Sequence, residues 1–149
     1  MVCTYKDYIH EQADLTKEQL LEERNIFAYA IDKWQRVCVI TDRKSGIILF
    51  ANDYALENLG YTLEELEGKH ISILVHNQKG EKRELFLQEI QDKGVISNLS
   101  RICAKDGTEV LFYIDSYTCN GFILSTGIKY SQIEDKLRLL EEKLSRWGN

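Results

Sequence analysis

The chain has 149 residues, 44% hydrophobic and 29% charged, which fits one soluble globular domain able to bury about two thirds of its unfolded surface. A formal charge of −5, with no basic stripe, speaks against nucleic-acid binding. No apolar run approaches about 18 residues, so no membrane span is expected, and the polar N-terminus is not a signal peptide.

In chain order, Thr16-Lys17-Glu18-Gln19 reads as a helix start. Apolar residues then recur at Leu20, Phe27, Ile31 and Trp34, with Arg24 interrupting, which predicts an amphipathic helix. Two strands follow, Arg36 to Asp42 and Gly46 to Ala51. Asn52 suits an N-cap, and Gly60 sits where a helix needs a left-handed stop. Thr62 and Glu65 form a capping box, and short helices run on to about His76.

Glu81 to Lys93 predicts a longer helix, with Leu85 and Ile90 on its inner face. Val95 to Ala104 is a strand leading to the Asp106-Gly107 turn. Thr108 to Thr118 alternates, with Val110, Phe112 and Ile114 on one face and Leu111, Tyr113 and Asp115 on the other. Phe122 to Lys129 is the fifth strand, after a turn at Gly121. Ser131 to Glu134 reads as a capping box opening a last helix. Its apolar residues Ile133, Leu137, Leu140, Leu144 and Trp147 follow a heptad spacing.

The run Asn52, Leu59-Gly60-Tyr61-Thr62, Glu64-Glu65-Leu66 and Gly68, with Val39-Ile40-Thr41-Asp42 before it and Lys105-Asp106-Gly107 after it, resembles the PAS domain, a small sensory and dimerisation module. The likeness spans roughly residues 36–130. It implies an α+β fold: a five-stranded antiparallel sheet in order 2-1-5-4-3, helices on one face, and helical flanks over residues 1–35 and 131–149. The chain departs from the family in two places. It has no proline after His76, and Gly127-Ile128-Lys129 replaces the frequent D-I-T.

Catalytic chemistry has little to stand on. Glu64 and Glu65 are explained by the capping box and the helix dipole. His10, His70 and His76 are isolated, and there is no paired-histidine metal motif. Cys3, Cys38, Cys103 and Cys119 are never in C-x-x-C spacing. They read as buried, reduced thiols of a cytoplasmic protein. A small hydrolase would lack any converging nucleophile and base.

The resemblance also bears on cofactors. The flavin branch of the family uses a cysteine where Lys69 to Leu74 stands here, and amides at the places of Ile102, Phe112 and Ser125. The haem branch uses a histidine on the long helix, near Arg83 here. Neither haem nor flavin is expected, and no metal. The family's cavity would be walled by Val39, Thr41, Ile73, Leu85, Ile90, Ile102, Phe112, Ile114, Ile123 and Ser125. Two readings stay open: a self-filled core, or a site for a small apolar or weakly polar metabolite.

The heptad stripe has two readings as well. It packs on its own sheet, or it forms a parallel seam with a second copy. The N-terminal stripe packs on the exposed sheet face or against its two-fold mate. The expected function is a cytoplasmic, bacterial-type sensory module, homodimeric and without catalysis, relaying to a downstream output domain beyond Asn149. The alternative is a haem or flavin sensor of redox state, gas or light.

Overall fold

The computed structural model describes residues 34–147. Strand β1, Val37–Asp42, and strand β2, Ile48–Ala51, form an antiparallel pair with a bulge between Ile40 and Thr41. The turn joining them is held by Asp42, whose carboxylate accepts from the Ser45 N–H and hydroxyl, both at 2.7 Å. An acidic side chain bonding its own backbone three residues on is the usual way such turns are fixed.

Asn52 then turns the chain from strand to helix. Its Oδ1 accepts from Ala55 N at 3.1 Å and from Cys38 N at 3.0 Å, and its Nδ2 donates to the Arg36 carbonyl at 2.7 Å. One buried amide thus caps helix α1, Asp53–Leu59, and pins that helix to β1. Gly60 ends α1 in the left-handed region at φ 76°. The capping box opens α2, Leu63–Leu66, as expected: Thr62 Oγ1 accepts from Glu65 N and Glu65 Oε1 from Thr62 N. A 3₁₀ turn, Ile71–Ile73, leads to helix α3, Gly80–Lys93.

Strands β3, Val95–Cys103, β4, Glu109–Cys119, and β5, Phe122–Lys129, follow. Asn120 and Gly121 make the β4–β5 hairpin turn, both at positive φ, as a two-residue turn between right-twisted strands requires. The sheet order is β2-β1-β5-β4-β3, antiparallel throughout, which is the order the resemblance implies. Helix α4, Tyr130–Trp147, continues straight from β5. The expected box at Ser131 to Glu134 therefore lies inside the first turn of α4 and is not its start.

The main core lies on the helix side of the sheet, where Val39, Ile48, Leu59, Leu66, Leu74 and Phe112 pack together. A smaller cluster of Cys38, Ile40 and Phe122 lies on the other face, as the period of two demands. Cysteine burial differs from expectation. Cys38 is buried, but Cys103 is half-buried and Cys119, beside the hairpin turn, is exposed.

Candidate functional site

A cavity of about 470 Å³ lies between the helix face of the sheet and the segment from Ile71 to Phe86. Its floor comes from alternate residues of β1, β4 and β5. Val39 pairs with Ser125, which pairs with Ser116; Thr41 pairs with Ile123; Phe112 and Ile114 lie further along β4. The two serine hydroxyls face each other at 2.9 Å. Ile102, Ser100 and Asn98 enter from β3, and the Ser100 hydroxyl donates to Asn98 Oδ1 at 2.9 Å.

Arg83 closes the opposite wall. It is only 7% exposed. Its Nη2 donates to the Arg43 carbonyl at 2.8 Å and its Nη1 to Gln78 Oε1 at 3.2 Å. Burial pushes the guanidinium below its ordinary value, and the nearby Asp42 charge offsets part of that. Gly46 leaves room for this arrangement. A Cβ there would lie 2.6 Å from His70 Nε2 and 2.9 Å from Arg83 Cζ. His70 is committed to capping, since its Nδ1 accepts from Ser72 N at 3.1 Å.

Seven of the residues read from the sequence line this cavity: Val39, Thr41, Ile102, Phe112, Ile114, Ile123 and Ser125. Three do not. Ile73 packs at the edge of the main core, and Ile90 is fully buried away from the cavity wall. Leu85 is 59% exposed, and Phe86 faces the cavity in its place. Leu85 and Ile90 are five residues apart, about 140° around a helix, so they cannot share one face. The face that exists carries Arg83, Phe86 and Ile90, and Phe86–Ile90 at four-residue spacing was its available signal. Arg83, noted in the sequence only for standing near the haem histidine's place, is not expected on the cavity wall because a charged residue normally faces solvent. Ser116 continues the Phe112–Ile114 alternation and was legible from it.

Ile102, Phe112 and Ser125 all line the cavity, two side chains without hydrogen-bonding groups and one hydroxyl, and amides enter it at Asn77, Gln78 and Asn98. Helix α3 carries no histidine. His76 lies at the cavity rim, and His10 lies outside the described residues. Among the described residues no cluster of His, Cys, Asp and Glu is placed to hold a metal ion. Among them, too, no helix is long and apolar enough to cross a membrane.

The apolar stripe of α4 lies away from the cavity. Leu137, Leu140, Leu144 and Trp147 are all more than half exposed, and Ile133 is half-buried near the sheet. In the N-terminal stripe, Trp34 is exposed with Arg36 stacked over its ring at 5.9 Å; Leu20, Phe27 and Ile31 lie outside the described residues.

The fold recurs in solved structures. A domain of a sensory box sensor histidine kinase/response regulator from Geobacter sulfurreducens aligns with 17% identity and TM-score 0.62, over 76% of this chain and 99% of that one. The PAS domain of an HTR-like protein from Haloarcula marismortui aligns with 16% identity and TM-score 0.66, over 74% and 99%. The PAS domain of the Cronobacter turicensis RpfR quorum-sensing receptor, in complex with BDSF, aligns with 19% identity and TM-score 0.54, over 65% and 95%. No curated protein matches the chain. Residues 36–135 match the PAS domain family, and that stretch covers both the sheet and the cavity, so the chain belongs to the PAS domain family.

Proposed function

We propose that this chain is a non-catalytic sensory and dimerisation module of a signal-transduction protein. A ligand or partner state at the cavity biases how the terminal helices of two copies pair, and α4 carries that bias to an output domain. A ligand shifts such an equilibrium only through its differing affinity for the two arrangements. The observation that carries this reading is the bare stripe of α4. Leu137, Leu140 and Leu144 project from a helix that the sheet leaves uncovered. An isolated helix of this length is marginal in water, and a second copy buries the stripe. The domain of a Geobacter sulfurreducens sensor histidine kinase and the complex of the Cronobacter turicensis domain support a sensing role for this fold. The ligand is a small molecule of mixed polarity, not haem or flavin.

Cysteine cross-linking tests the pairing. With Cys3, Cys103 and Cys119 replaced by serine, Leu144→Cys forms a disulfide between copies under mild oxidation, because a parallel seam brings residue 144 opposite its copy within disulfide reach. Failure to cross-link here, with efficient cross-linking at an outward site such as Arg138→Cys, contradicts the parallel seam.

A further inference from the structure

Arg83 is a buried cation whose hydrogen-bond partners are both neutral oxygens, the Arg43 carbonyl and Gln78 Oε1. Among the described residues no carboxylate is paired with it within 4 Å. The Asp42 carboxylate acts on it through space while accepting two bonds from Ser45. Buried charges are ordinarily paired, because desolvation is otherwise uncompensated. A guanidinium has five donors in a fork shaped for an acid group, and two are used here.

Along β4 and β5 the cavity floor grades from hydroxyls to apolar side chains, with Ser100 and Asn98 of β3 set beside Phe112 and Ile114. Arg83 is tied to the backbone two residues beyond Thr41, and Thr41 lies one strand period from the Ser125–Ser116 hydroxyl pair. Moving away from that end, β4 presents Ile114 and then Phe112, with Ile102 beyond on β3. Glu109, the acidic residue at the rim, pairs with Cys103 at the far end of β4.

We propose that the cavity takes an anionic amphiphile, with its acid group on Arg83 and the hydroxyls of Thr41 and Ser125, and its apolar body along Ile114, Phe112 and Ile102. This deepens the sensory reading and rests on it. The ligand's charge adds a direct ion pair to a cation whose nearest acid, Asp42, acts on it only through space.

Two matched pairs of probes test this by NMR titration of ¹⁵N-labelled protein: octanoate against 1-octanol, and indole-3-acetate against indole-3-acetamide. For at least one pair the anion binds wild type at least tenfold more tightly than its neutral partner. Arg83→Met loses that preference, and Arg83→Lys retains it. The Arg83 Nε–H signal of wild type shifts with the anion and not with the neutral partner, which keeps the test valid if Arg83→Met does not fold. Equal binding of anion and neutral partner in both pairs overturns the proposal and leaves a ligand cavity in place. Absence of binding by all four probes at millimolar concentration overturns the ligand cavity too.

Discussion

The Tyr54 hydroxyl donates to Gln132 Oε1 at 2.8 Å, joining residues 78 apart in sequence. Tyr54 lies in α1, which Asn52 pins to β1, and Gln132 lies in the first turn of α4. Burial raises the tyrosine hydroxyl above its ordinary pKa, and the glutamine bond opposes that in part. The bond therefore stays between neutral partners across the physiological range. Among the described residues it is a direct side-chain link between the domain body and α4, the helix proposed to carry output. A double-mutant cycle of Tyr54→Phe and Gln132→Leu should give a coupling of about 0.5–1.5 kcal/mol, the usual net worth of one such bond. Either single change should also speed amide exchange in the first turn of α4. Additive effects on stability, with α4 exchange unchanged, would show that the link carries nothing.

Phe112 is fully buried and its neighbour Tyr113 is 40% exposed. Phe112→Ala should cost about 3–5 kcal/mol in denaturant melts, through lost burial and the cavity left behind. Tyr113→Ala should cost clearly less. The reverse order would mean that the facing of β4 is wrong.

Gly127 lies between β1 and β4, paired with Val37 on one side and Ile114 on the other. A Cβ there would lie 2.1 Å from the Tyr113 carbonyl oxygen and 2.6 Å from Ile114 Cδ1. A backbone atom cannot step aside as a side-chain tip can. Gly127→Ala should therefore destabilise by about 3 kcal/mol, the upper end for overpacking. An alanine variant as stable as wild type would refute this close approach.

Glu65 accepts from the Thr62 N–H and pairs with Lys105 Nζ at 2.5 Å, tying α2 to the β3–β4 turn. The Lys105 interaction first, then the Thr62 backbone bond, hold its carboxyl below the ordinary value of 4.5. A folded-state value below the unfolded one contributes stability above 4.5, and that contribution is lost as pH falls toward the folded value. Wild type should thus melt higher than Glu65→Gln near neutral pH, and the gap should close in acid. A gap constant across that range would rule out the carboxylate as its source.

The strands and caps were legible because each has a local cause. Alternation of Val110, Phe112 and Ile114 sets a face; Asn52 and Gly60 bracket a helix; Asp106-Gly107 makes a turn. The cavity was legible where it rests on that alternation, and obscure where it rests on distant contacts. Arg83 is buried because the Gly46 turn brings the Arg43 carbonyl to it from 40 residues away, which no local pattern announces. The start of α4 was misplaced because β5 passes into it with no loop, leaving Ser131 inside a turn it was expected to cap.

Sedimentation equilibrium of wild type and Leu140→Asp tests the central claim most directly. Leu140 sits in the middle of the bare α4 stripe at 54% exposure, so a charge there disturbs the seam without entering the domain core. Wild type should sediment as a dimer, and Leu140→Asp as a folded monomer with unchanged secondary structure. A wild-type monomer at ~100 µM, well above the micromolar dissociation constant that corresponds to about −8 kcal/mol, would contradict the account.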